Sequence, residues 1–333
     1  MSDDTHPSPG SPPPGRTALR VSCAVLVLAT LPYLSLKIHW LLGGTAGLNG
    51  MADTTQVDAL NAFTAGMDLV AALLAGVFAF RRGRRVPAWL ILFPVWVGTG
   101  LLGEIVLGMP FQALASTVAG EPLLPAADAG AAPPPVASWV FGMVYGGFVV
   151  QGLAFLTAFV LYARERWTDV FTGRAGEGQV AVPALRALAT PLTWTAAVGA
   201  GAVALINTAW ALGYTGGISA DHVDAISRSA RTNGAVIAVF ALAAAVGLVL
   251  NARTRSGRVP RWTVTLAAWV GTGSMFGWGM WGLLVLLGSD TGVGMQHTPD
   301  LTNYEVLLRF TLGILGGTAF LLTQAERELS RSC

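Results

Sequence analysis

Five ionisable residues interrupt stretches that are otherwise apolar: Lys37, His39, Asp68, Glu104 and Arg309. An ionisable group at the centre of a bilayer costs about 2.5–3.5 kcal/mol on insertion scales, and less toward the edge. Such residues are seldom left facing lipid; they pair with one another or line an ion or substrate path. The set holds two cations, two carboxylates and one imidazole, and His39 beside Lys37 suits a proton-responsive group. Two readings stay open. One is a structural ion network, with Lys37 reaching toward the interface and Arg309 pairing with Glu305 four residues earlier. The other is a ligand or proton site.

A second constellation is a repeated motif. Arg85-Val86-Pro87-Ala88-Trp89 leads to Trp96-Val97-Gly98-Thr99-Gly100, and Arg258-Val259-Pro260-Arg261-Trp262 leads to Trp269-Val270-Gly271-Thr272-Gly273, at a constant offset of 173. Trp40 to Thr45 matches Trp210 to Thr215 at offset 170, and Val57-Asp58-Ala59-Leu60 matches Val223-Asp224-Ala225-Ile226 at offset 166. Gly142/Gly146 and Gly313/Gly317 form small-residue pairs whose mutual alignment is ambiguous. Pro fits the first turn of a helix, and the neighbouring Arg and Trp suit a membrane interface. Each inner Trp lies nine residues beyond its Pro, about 13 Å deeper at helical rise. Gly-Thr-Gly offers a notch for close helix approach with a hydroxyl to bond a neighbour; the alternative is that the two notches line a path. At these offsets Lys37 aligns with Asn207, His39 with Ala209 and Glu104 with Gly277, so the charges are concentrated in one copy.

Other chemistry is missing from the sequence. There is no Walker A, no dinucleotide fingerprint, no HExxH, no GxSxG and no CxxC. No catalytic, cofactor-binding or metal site is therefore expected. The pairs His222 with Asp221 and Asp224, and His297 with Asp300, are a weak lead for a divalent metal, and solvated loops explain them more simply.

The elements that must hold these residues follow from composition. Of 333 residues, 53% are hydrophobic and 11% charged, against about a quarter charged in soluble domains. Net charge is +2, too small for nucleic acid. Eight apolar runs appear: 19–43, 62–80, 87–107, 137–163, 191–213, 232–251, 261–287 and 303–324. Each is long enough to span and must be helical, because lipid offers the backbone no partners. Pro110 and the prolines after it mark an irregular stretch over 108–136, with a short helix over Phe111–Val118.

Sixteen basic residues fall in alternate connections and tails on one side: Arg16 and Arg20, the Arg81–Arg85 cluster, Arg164 to Arg186, Arg253 to Arg261, and Arg327 with Arg331. The opposite side carries only Arg228 and Arg231. This bias puts both termini in the cytoplasm. An all-α bundle of eight spans follows, arranged as two parallel four-helix repeats. A disordered tail over 1–17 precedes repeat one (18–163). A cytoplasmic linker (164–190), repeat two (191–324) and a short tail (325–333) complete the chain. Cys23 and Cys333 both fall toward the cytoplasm, which argues against a disulfide.

In composition and duplicated architecture the chain resembles uncharacterised multi-pass membrane proteins of actinobacterial type, a resemblance that carries over no site residue. The reading is a plasma-membrane protein with the lipid bilayer as partner, acting as a secondary transporter or exporter of a small molecule. The alternative is a non-transporting scaffold, sensor or self-protection protein. A membrane-embedded lipid-modifying enzyme is a minor third.

Overall fold

The computed structural model describes residues 14–49, 55–120, 136–175, 182–219, 228–253, 258–288 and 300–332. Eight long helices account for most of them: α1 Pro14–Leu41, α2 Thr55–Ala79, α3 Ala88–Ala119, α4 Ser138–Arg166, α5 Pro183–Ala211, α6 Arg228–Ala252, α7 Arg261–Gly288 and α8 Leu301–Ser332. A 3₁₀ turn, Arg81–Arg85, links α2 to α3, and a one-turn helix, Thr168–Thr172, follows α4. The described residues contain no strand, only two isolated bridges. The 1–13 segment and the loop histidines His222 and His297 lie outside the described residues.

All eight helices are long and apolar enough to cross a membrane, yet only 22% to 39% of each apolar window is buried inside the protein. A water-soluble bundle hides its leucines; here Leu28, Leu69, Leu73, Leu205 and Leu321 all face outward. This outside is compatible with an integral membrane protein, for which lipid is the solvent.

The helices pack in two groups. In the first, α1 lies against α2 and α4, and α4 against α3. In the second, α5 packs on α6 and α8, and α7 closes the ring against both. The groups meet where α3 packs on α7 and α6. Glycine sets the spacing in the second group. A Cβ on Gly247 would fall 2.3 Å from the Ala268 nitrogen, and one on Gly271 2.3 Å from that of Ala244, so α6 and α7 touch backbone to backbone. Gly279 and Gly313 make the same contact between α7 and α8. Gly142 and Gly146 have open space instead, so the two small-residue pairs do different work.

One connection is built the same way in both groups. The Trp40 indole donates to Ala46 O, and the Trp210 indole to Gly216 O. Gly43 and Gly47, like Gly213 and Gly217, have positive φ. The next spans are tied on by Ala137 N–H to Gly47 O at 2.8 Å and Leu301 N–H to Gly217 O at 2.9 Å. At Gly47 glycine is needed twice over, because a Cβ would also strike the Val140 side chain at 2.4 Å.

Arginines lace the opposite ends of the helices. Arg166 donates to Val86 O and to the Tyr162 hydroxyl, which donates to Gly83 O. Arg327 holds Asn251, and Glu326 takes both Arg186 and the Val182 N–H.

Several expected boundaries differ: α1 begins at Pro14, within the expected disordered tail, α2 begins at Thr55 rather than near 62, and α8 runs through the expected tail to Ser332. α3 continues through Pro110 to Ala119 rather than stopping near 107. An internal proline forfeits one backbone bond, and membrane helices tolerate that loss. α5 begins at Pro183, inside the expected linker, with Pro at its first turn.

Candidate functional site

The repeated motif lies at the junction of the groups. The Trp96 indole donates to the Thr272 hydroxyl at 3.1 Å, and the Trp269 indole donates to the Thr99 hydroxyl at 3.0 Å. Each hydroxyl passes its own proton to its own helix, Thr99 to Trp96 O and Thr272 to Ala268 O. Every polar atom of this reciprocal pair is thus occupied. The glycines divide the packing. Gly98 faces Phe155 of α4 and Gly271 faces α6, each within its own group. Gly100 and Gly273 face across: a Cβ on Gly100 would lie 2.1 Å from the Gly273 carbonyl carbon. Phe276 stacks on Trp96 at 4.9 Å, and Phe159 on Trp269 at 5.9 Å. These contacts pack α3 against α7 along the motif.

The five ionisable residues singled out from the apolar runs fall into two sites and one outlier. Lys37 of α1 is wholly buried and donates to Asp68 of α2 at 2.7 Å. Gln151 of α4 donates to the other carboxylate oxygen at 3.4 Å. The Lys37 ammonium also sits 3.9 Å from the centre of the Tyr33 ring. One cation meets one anion, and three helices of the first group are joined.

The second site bridges the groups. Glu104 lies midway along α3, deeper than a span ending at 107 suggests. Its Oε1 accepts from Arg309 of α8 at 2.6 Å and from the Ser274 hydroxyl of α7. One turn before Arg309, Glu305 Oε1 accepts from Asn207 of α5 at 3.2 Å and lies 3.8 Å from Arg309 Nε. All five side chains are at most 7% exposed. Arg309 Nε is fully buried and has no hydrogen-bond partner. Two carboxylates therefore share one guanidinium.

His39 belongs to neither site. It is exposed at the end of α1, with its ring over Gly44 and its Nε2 accepting from the Ala46 N–H at 3.4 Å. Asp300 caps α8, accepting from the Thr302 N–H and the Ser219 N–H at 2.9 Å each. Among the described residues no three His, Cys, Asp or Glu side chains converge as a metal site.

Compared with protein-family models, curated proteins and solved structures, the chain matches none. The reading of the site therefore rests on its own chemistry.

Gln151, Asn207 and Ser274 were not singled out from sequence. A signal for two of them was present. Asn207 is the counterpart of Lys37, and Ser274 directly follows the second Gly-Thr-Gly, where the first copy has Leu101. Polar residues thus stand in both copies, but at places where one-to-one alignment pairs them with a different residue type. Gln151 carried no signal, because a single amide in a long apolar run reads as neutral.

Proposed function

We propose that this chain is a secondary transporter or exporter of a small molecule in the plasma membrane. In this reading it consists of two parallel four-helix repeats with both termini cytoplasmic. The arginine bias supports the orientation. The matched motifs and the identically bonded connections after α1 and α5 support the duplication. Reporter fusions are expected to place the Arg81–Arg85 turn and the 164–190 connection inside. A fusion in either that reports from the exterior would remove the topology on which the reading stands.

One observation carries the transport reading: the uneven charge of the Glu104, Glu305 and Arg309 site between the groups. A purely structural ion pair in the membrane is best balanced, as Lys37 with Asp68 is, because any excess charge must be held without solvent. A 2:1 site invites a compensating cation that comes and goes, which is how ion-coupled carriers work. Cells expressing the native chain should show at least one small molecule redistributed between cytoplasm and medium, by untargeted mass spectrometry, relative to cells expressing Glu104→Gln. Identical solute profiles, with both proteins inserted at equal levels, would defeat the transport reading.

A non-transporting scaffold, sensor or self-protection protein is the second reading. The Trp96–Thr272 and Trp269–Thr99 seam favours it, since a tightly stitched junction resists the rocking that alternating access requires.

A further inference from the structure

We propose that Glu305 is the proton-carrying member of the buried charge site, and that this proton exchanges with water at the end of α8 opposite the arginine-rich ends. The inference deepens the ion-coupled reading above, and its test reads a different quantity.

The argument begins with charge counting. Glu104, Glu305 and Arg309 sum to one net negative charge when all are ionised, in a place where every one of them is buried. Among the described side chains, nothing else nearby offsets it. Asn207 comes from α5 and Ser274 from α7, both neutral. Lys37 is already committed to Asp68 in the other group. From α6, Arg231 is exposed and turned onto the Gly213 loop. The described residues leave one negative charge over, and in this proposal the compensating positive charge comes from outside the chain. A metal ion is a poor candidate, because the Arg309 guanidinium occupies the space between the carboxylates and would repel it. A proton needs no coordination shell.

The hydrogen bonds decide which carboxylate takes it. Glu104 Oε1 receives two donors, one of them charged, and such bonds favour the ionised form. Glu305 receives one neutral amide at 3.2 Å, and Arg309 Nε stands off at 3.8 Å without bonding it. Arg309 Nε is buried without a hydrogen-bond partner, so Glu305 is the less firmly held of the two carboxyls. Glu305 is also four residues into α8, about 6 Å from its start at helical rise, so the proton's route to water is short. Loading moves a proton from water onto a Glu305 oxygen and takes the site from net negative to neutral; release reverses this.

Infrared difference spectroscopy of the full chain in lipid tests the assignment. At neutral pH the native protein should show one buried carboxylic-acid C=O band that shifts in D₂O. The band should vanish in Glu305→Gln. It should also vanish in Glu104→Gln, because one carboxylate then balances Arg309 and the proton is no longer needed. Glu305→Asp should move the band and Glu104→Asp should leave its position unchanged, which keeps the test usable where a Gln variant fails to fold. A band that survives Glu305→Gln overturns the proposal. So does a native spectrum without the band; a melting temperature that rises with sodium would then assign the compensating charge to a metal cation. Loss of the proton assignment with solute redistribution intact leaves transport standing. The reverse outcome removes transport and keeps the proton.

Discussion

Gly100→Ala is expected to unfold or part the two helix groups, although it adds a single methyl. The new carbon would sit 2.1 Å from the Gly273 carbonyl carbon, 2.3 Å from its oxygen and 2.4 Å from the Ser274 nitrogen. All three atoms are backbone, so no side-chain rotation relieves the contact. The whole of α3 must move from α7 by roughly an ångström, which strains both Trp–Thr hydrogen bonds and carries Ser274 away from Glu104. Overpacking costs about 1–3 kcal/mol, occasionally more, and this site should fall at the upper end. Gly142→Ala is the control. It has open space around the added carbon, and alanine gains about 1 kcal/mol of helix propensity over glycine. Denaturant-induced unfolding in micelles should show a large loss for the first variant and none for the second. Equal stability of Gly100→Ala and the native chain would mean that the seam is not packed as described.

Lys37→Met should be the other severe lesion. It strips the cation from Asp68 and leaves a carboxylate that is 5% exposed with only the long Gln151 amide contact at 3.4 Å. Removing one partner of a buried pair costs about 3–5 kcal/mol, whereas replacing both by neutral groups is often neutral or stabilising. The double variant Lys37→Met with Asp68→Asn should therefore recover to within about 1 kcal/mol of native, because the amide introduced on α2 can still accept from Gln151. The same pair of variants separates the two readings of this charge pair. If the pair is structural, the double variant keeps any solute redistribution the native chain performs. If it lines a substrate path, stability returns and redistribution does not. Failure of the double variant to recover stability would show that the pair is worth more than its neutral replacement.

Much of the architecture is legible in the sequence. Eight helices lie where eight apolar runs do, because a backbone in hydrocarbon must satisfy its own hydrogen bonds and has one way to do so within a single segment. The helix ends were less legible. Pro110 lies inside α3, and α5 begins at Pro183, eight residues before the apolar run that starts at 191. A proline constrains only its own turn, and a lipid-facing or packed helix can absorb it. The Trp-Val-Gly-Thr-Gly copies were visible as a repeat, yet nothing in their spacing said that each would bond to the other.

Composition and chain order dictate the number of long apolar helices, the helix ends at which the arginines gather and the recurrence of the seam motif. These are properties of segments, set by transfer from water to lipid one helix at a time. Which charge meets which was decided only by packing. Lys37, Asp68 and Arg309 each stand six residues from one end of an apolar run, so position along the chain groups them. Rotation of each helix about its axis sends Lys37 and Asp68 to one bundle and Glu104 and Arg309 to the seam. In the second group and at the seam, that rotation follows where glycines let neighbouring backbones touch, a relation between helices that no single stretch of sequence contains.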